Sequence, residues 1–328
     1  MTATGASARG GSYVLKRVLF AVATIFVALT LNFVLFRALP GSPANDLSRV
    51  PNASVALKDA LTKQFGLDKP VWQQYAAYVG QLAHGDLGRS YADQQPVAHE
   101  LGVALGNTIP MVALGTFLAI GLGLVTGVVA AWRRGRPLGR VATTSGIAFF
   151  SFPPQWLGLI LLIVFAGVLP ASGMSDNFLV NPSWWQHEKD VLTHMLLPAG
   201  TLALSLYGRY ALIVRSATVA TLGEPYILTA RAKGLGDWAT LRRHALPNAM
   251  LPTITLIAVS IGHIVAGAIL IETIFSWPGI GRAVYESILA RDYPMLEGAF
   301  LLLTVSVVVC NLAADLLYAR LDPRVRAQ

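Results

Sequence analysis

Ile109-Pro110-Met111-Val112-Ala113-Leu114-Gly115-Thr116-Phe117-Leu118-Ala119-Ile120-Gly121-Leu122-Gly123-Leu124-Val125-Thr126-Gly127-Val128-Val129-Ala130-Ala131-Trp132 carries no charged side chain. About 20 such residues are what a helix needs to cross the hydrocarbon of a bilayer. The strands of a membrane barrel would alternate apolar and polar residues over about ten positions. This run does not alternate, so it reads as a helix. Five further runs are of the same kind: Val18–Leu39, Val141–Leu169, Leu196–Val214, Leu251–Phe275 and Leu296–Tyr318. The expectation is an all-α polytopic membrane protein with six transmembrane helices. Composition agrees: 54% of the residues are hydrophobic and 13% charged, where soluble domains carry about 25% charged residues.

The basic residues set the orientation. Arg133, Arg134, Arg136 and Arg140 crowd the short link after the second run, whereas the link from Leu169 to Met195 holds only Lys189. Cytoplasmic loops carry the excess of Lys and Arg, so both termini are expected inside. The net charge of +8 is therefore not a nucleic-acid signature, because it flanks spans and forms no basic stripe on a soluble domain. Lys16-Arg17 ahead of the first run resembles a secretory signal. The run is too long for one and no small-residue cleavage site follows, so it reads as an uncleaved helix.

Five stretches follow from this reading. Residues 1–13 are rich in Gly, Ser and Ala and read as a disordered tail. Residues 14–39 form the first helix. Residues 40–107 form an extracytoplasmic loop subdomain, too long for a plain connector. Within it, apolar periodicity predicts helices over Val55–Phe65 and Val71–Leu82. Residues 108–318 form a five-helix core, and 319–328 a cytoplasmic tail. Trp184-Trp185, in the second outer loop, suit the membrane interface.

Several chemistries are missing. No lysine follows a glycine, so there is no phosphate-binding Gly-x-x-x-x-Gly-Lys loop; His-Glu-x-x-His and Gly-x-Ser-x-Gly are also absent. No two of the six histidines lie three or four residues apart, and Cys310 is the lone cysteine. The sequence thus predicts no metal site, no cofactor bound by this chain and no enzyme.

The segment 224–248 is too charged for lipid. Gly223-Glu224-Pro225 breaks the fourth span, and Pro225 can open a new helix with Glu224 at its positive end. Tyr226–Lys233 gives about two helical turns, and Gly234 suits a left-handed cap. Asp237 is placed to cap a second helix, Trp238–Leu246, which carries Arg242, Arg243 and His244 near its end. A short helix held between two long ones can act as a lever, although an ordinary positive-inside loop would share its charge.

Thr229-Ala230-Arg231-Ala232-Lys233-Gly234-Leu235, followed by His244-Ala245-Leu246-Pro247-Asn248, resembles the coupling signature of binding-protein-dependent ABC importer permeases, in the form typical of their dipeptide/oligopeptide branch. Gly234 and Leu246-Pro247 fit the pattern. Leu228-Thr229-Ala230 departs from it by an acidic residue and an alanine. Other stretches are similar to the same branch. They are Gly66–Pro70 with Gly85–Ser90 in the outer loop, Asn107-Thr108, Ser151–Gly158, and Glu272–Arg282.

The resemblance implies a type I importer permease of the bacterial cytoplasmic membrane. It implies a second permease of similar fold and two cytoplasmic ATPase domains that hold ATP and Mg. It also implies an extracytoplasmic substrate-binding protein. Glu224, Tyr226, Thr229, Ala230, Arg231, Ala232, Lys233, Gly234 and Leu235 would then couple this chain to the ATPases. Peptides lead as substrate; closely similar permeases carry nickel complexes or glutathione.

Ser151, Gln155, Thr201, Ser205, His263 and Glu272 are candidates for a pathway or gate, since polar groups inside spans face a cavity or another helix. Each has a plainer reading as interhelical glue, and Glu272 as a cap over Ser276–Arg282. An ion-coupled secondary transporter using His263 and Glu272 is the rival from another class; an assembly protein without substrate is a third.

Overall fold

The computed structural model describes residues 4–38, 69–176, 181–250, 252–254, 257 and 269–321. Within them the chain is helical: α1 Thr4–Ala38, α2 Val71–Ala83, α3 Val97–Trp132, α4 Pro137–Ser151, α5 Pro154–Val164, α6 Trp184–Leu222, α7 Pro225–Ala232, α8 Asp237–Thr240, α9 Ile269–Ile274, α10 Ile280–Ala290 and α11 Tyr293–Leu321. A π-turn, Leu241–Ala245, continues α8. The helix predicted over Val55–Phe65 lies outside the described residues, as do His263 and most of the run Leu251–Phe275.

Among the described residues four helices are long and apolar enough to cross a membrane: 14–36 of α1, all of α3, all of α6, and 293–313 of α11. The α4–α5 pair is a fifth if taken as one span. It bends by 108° where Pro153 and Pro154 deny the helix two backbone donors.

Three boundaries differ from expectation. α1 runs back to Thr4, into the stretch read as a disordered tail. α3 begins at Val97, not Ile109, so Val97–Asn107 is helix and not loop. Polar residues such as His99, Glu100 and Asn107 hide that extension from a hydropathy scan. α6 opens at Trp184 under a capping box made by Ser183 and Gln186, so the indoles sit on a helix end, mostly exposed. The helix predicted over Val71–Leu82 is α2.

α6 is the central post, with 56% of its most apolar window buried inside the chain against 11% for α1. It packs along α3 through a stripe of small residues. A Cβ on Gly115 would strike Ala199 and Leu202; on Gly123, Tyr207, Tyr210 and Ala211; on Gly127, Ala211 and Val214. Lipid tails are as apolar as leucine, so close backbone packing drives helix association in a bilayer. α4 meets α6 the same way, where Gly208 lies against the carbonyl of Gly146 and the side chain of Phe150.

α1 leans on α11 at the side. Arg17 pairs with Asp315 at 3.0 Å, and Asn32 Nδ2 donates to the Glu297 carbonyl at 2.9 Å. α2 attaches to α1 through Phe33, whose ring contacts those of Tyr75 and Tyr78.

Candidate functional site

Two places concentrate the residues singled out in the sequence, at opposite ends of α3. The first is the basic elbow after α6. α6 ends at Gly223, whose N–H reaches back to Ala220. Glu224 is extended and Pro225 opens α7. Ile227 and Ala230 are the buried face of α7. Ile227 packs with Leu241 and Ala245, and Val128, Leu222 and Leu246 cover that cluster. Tyr226, Thr229, Arg231, Ala232 and Lys233 are exposed, Glu224 and Gly234 with them; Leu235 is half-buried.

The end of α7 is a Schellman motif. The Leu235 N–H donates to Ala230 and the Gly234 N–H to Arg231, with Gly234 at φ +85°. The left-handed cap expected from the sequence is present. Asp237 is not the cap of the next helix. Gly236 holds that position, and the Asp237 carboxylate faces Arg231 at 3.5 Å. The chain then widens into the π-turn at Leu241–Ala245, a geometry seen mostly as single turns, often at functional sites.

Two contacts tie the elbow to the rest. The Asn248 carboxamide donates to the Tyr226 hydroxyl at 3.1 Å. The Trp238 ring lies 5.2 Å from that of Trp132, the last residue of α3, and the Arg133 guanidinium sits 4.5 Å over Trp132. Neither tryptophan was singled out in the sequence, because the two are more than a hundred positions apart.

The second place is the opposite end of α3. Glu272 is fully buried. Its carboxylate accepts from Thr108 Oγ1 at 2.9 Å and from the backbone N–H groups of Gly281 at 2.7 Å and Arg282 at 3.1 Å. It caps the start of α10, as the sequence suggested. Thr108 accepts in turn from the Ile280 N–H, at 2.9 Å. Beside it, Trp277 Nε1 donates to the Asn107 carbonyl and Asn107 Nδ2 donates to the Pro278 carbonyl, each at 2.9 Å. A Cβ on Gly279 would run into the Glu272 carboxylate and the Thr108 hydroxyl. A buried carboxylate is costly unless hydrogen-bonded; here three donors surround it. The Arg282 side chain turns away, to the Ser276 carbonyl and to Glu286.

The remaining candidates are scattered. Thr201 is buried, and its hydroxyl donates to the Leu197 carbonyl; Ser205 donates to the Thr201 carbonyl, both within α6. Ser151 closes α4 and donates to Ile147, and Gln155 stands on α5 just past the corner with a buried, unpartnered Oε1. His263 lies outside the described residues.

The profile of the binding-protein-dependent transport system inner membrane component matches residues 119–327. The profile of the N-terminal part of such membrane components matches 12–112. The chain belongs to this family of inner-membrane permeases.

It is 35% identical to the di/tripeptide transport system permease protein DppB of Pseudomonas aeruginosa, over 97% of this chain and 99% of that one. It is 34% identical to the dipeptide transport system permease protein DppB of Escherichia coli K12, over 96% and 98%. It is also 33% identical to the glutathione transport system permease protein GsiC of E. coli O6:H1, over 96% and 99%. The expected resemblance is thereby established over nearly the whole chain, and the protein is a permease component of a binding-protein-dependent importer.

Proposed function

We propose that this chain is one of two permease subunits of an ATP-driven importer of short peptides. It spans the membrane six times with both termini in the cytoplasm, in the type I arrangement. The run Leu251–Phe275, followed into α9, supplies the sixth crossing. The orientation rests on Arg133–Arg140 against the lone Lys189. It puts the elbow inside and the Glu272 cap outside. The partners are a second permease, two ATPase domains that bind ATP and Mg, and a substrate-binding protein on the far side.

The observation that carries the reading is the elbow. α7 is anchored by Ile227 and Ala230 and presents Tyr226, Leu228, Thr229 and Arg231 outward. That is a face built to be gripped by something absent from this chain. Closure of the ATPases on ATP moves α7 as a rigid body. α6 on one side, and α3 through Trp132 and Trp238 on the other, carry the movement to the spans. Peptides are favoured as cargo because the relatives include di- and tripeptide permeases and a glutathione permease, and glutathione is itself a peptide.

The test is uptake of a labelled dipeptide by proteoliposomes holding the complete transporter, with ATP hydrolysis measured in parallel. Arg231→Glu and Gly234→Glu should abolish uptake while the chain still inserts in the membrane. Unchanged uptake in both would defeat the coupling role of α7. Uptake driven by an ion gradient with no ATPase present would favour the secondary-transporter reading instead.

A further inference from the structure

A cleft of about 570 Å³ opens beside the Glu272 cap, between the start of α3, the length of α10 and the loop before α3. Its volume falls in the range of pockets that take small molecules, about 300–1,000 Å³. Its walls differ in charge. On one wall stand Asp93 and Glu100, with His99 beside them; on the other stand Arg282 and Glu286, joined at 2.6 Å. Asp292 lies at the base and is spent on structure. It accepts from the Ser90 hydroxyl and from the N–H groups of Tyr91, Ala92 and Met295. Val103, Ala283 and Met295 supply an apolar floor.

Asp93 and Glu100 bring two carboxyl groups to the same wall of the cleft. The hydrogen bond from Glu100, then the Gln95 N–H, holds the Asp93 carboxyl below its usual range. Like charges this close do not both stand ionised without a cation. Across the cleft, Arg282 spends one N–H on Glu286 and one on the Ser276 carbonyl. That uses two of its five donors. A bare metal ion fits this cleft poorly. The guanidinium opposes it, and among the described residues no group of three His, Cys, Asp or Glu side chains is placed to hold a metal. A ligand with an ammonium group, a nearby carbonyl and an apolar side chain matches all three surfaces.

We propose that this cleft binds the free amino end of a short peptide on the extracytoplasmic side. The ammonium sits against Asp93 and Glu100, the first carbonyl oxygen on Arg282, and the first side chain over Val103 and Met295. The site rests on the importer reading above and adds to it a place on the permease itself that reads the N-terminus of the cargo.

The experiment is saturation-transfer NMR of alanyl-alanine with the assembled transporter in nanodiscs, permease pair and ATPases present and binding protein left out. Alanyl-alanine should give signal, and N-acetyl-alanyl-alanine should bind at least about tenfold more weakly, the loss expected for a charge-assisted hydrogen bond. The Asp93→Asn/Glu100→Gln double variant should lose the preference for the free amine. Val103→Trp fills the cleft from the exposed edge of its apolar floor without touching a charge, and it should lose binding of both peptides. Equal binding of the free and acetylated peptides overturns the proposal, as does unaltered binding in Val103→Trp. Uptake of alanyl-alanine by the complete system, binding protein included, reports separately on the importer reading. Uptake there with no amine preference in the cleft sinks the cleft alone; absence of uptake sinks both.

Discussion

Thr108, in the first third of α3, donates its hydroxyl to the buried carboxylate of Glu272 at 2.9 Å and accepts the Ile280 N–H on the same oxygen. The pair fastens three elements, α3, α9 and the start of α10. Glu272→Ala leaves the Gly281 and Arg282 N–H groups and the Thr108 hydroxyl without their acceptor, at about 1–3 kcal/mol for each buried group that water does not reach. Glu272→Gln keeps the shape but turns one acceptor into a donor facing donors, and should be nearly as harmful. Gly279→Ala, which pushes a methyl into the same carboxylate, should cost about 1–3 kcal/mol as overpacking. The check is the melting temperature of the purified complex in detergent. All three should fall, and Thr108→Ser should stay close to wild type because it keeps the hydroxyl.

The left-handed backbone at Gly234 makes a different prediction. Nothing lies within 4 Å of a Cβ built there, so the cost of a side chain is conformational and not steric. Gly234→Ala should weaken the end of α7 by about 1–2 kcal/mol. Gly234→Asn should cost less, since asparagine tolerates that conformation. Dipeptide uptake in proteoliposomes should rank glycine above asparagine above alanine. An order set by side-chain size would mean that the position is crowded by a partner and not strained.

How much of this was legible beforehand depends on the range of the signal. The Schellman end of α7, the break at Gly223-Glu224-Pro225 and the helix over Val71–Ala83 are local, carried by glycine, proline and apolar spacing. So is the backbone half of the Glu272 cap, because the carboxylate and the Gly281 and Arg282 N–H groups lie within ten residues; the Thr108 hydroxyl comes from 164 positions away. Asp237 was misread as a cap because Gly236 beside it serves equally well, which freed the carboxylate for Arg231. The N-terminal extension of α3 was missed because a hydropathy scan reports lipid and not helicity, and Val97–Asn107 carries His99, Glu100 and Asn107. The straps from Asn107 to Trp277 and Pro278, and the Trp132–Trp238 contact, join residues more than a hundred positions apart. No spacing rule reaches them. The Gly123-x-x-x-Gly127 spacing is one of several possible glycine pairs in so glycine-rich a span; only Tyr210, Ala211 and Val214 on α6 show which glycines bear contact.

That stripe is testable. Gly123→Val and Gly127→Val drive a side chain into the backbone of α6, whereas Gly121→Val meets open space. The first two should lower the melting temperature of the complex and its yield from membranes. Gly121→Val should do neither, since among the described residues nothing faces that position and added apolar bulk is accommodated. Equal effects at all three positions would argue against α3–α6 packing as drawn.

The last prediction concerns transmission. If α7 moved the spans through α6 alone, the ring contact between Trp132 and Trp238 would be dispensable. Both residues are partly exposed, Trp132 at 37% and Trp238 at 53%, so only part of the area of each indole contributes to folding. A contact between exposed aromatic rings is worth about 0.5–1.5 kcal/mol beyond the area it buries. Trp238→Ala should therefore leave the melting temperature within a degree or two but lower uptake per ATP hydrolysed, because α3 no longer follows the elbow. Trp238→Phe keeps a ring and should restore most of the ratio. Trp132→Ala should match Trp238→Ala, and the double variant should be no worse than either single one, as expected of two residues acting through one contact. Uptake and ATP hydrolysis measured on the same proteoliposomes give the ratio directly. An additive double variant would show that the two tryptophans act separately, and the elbow would then drive the spans through α6 alone.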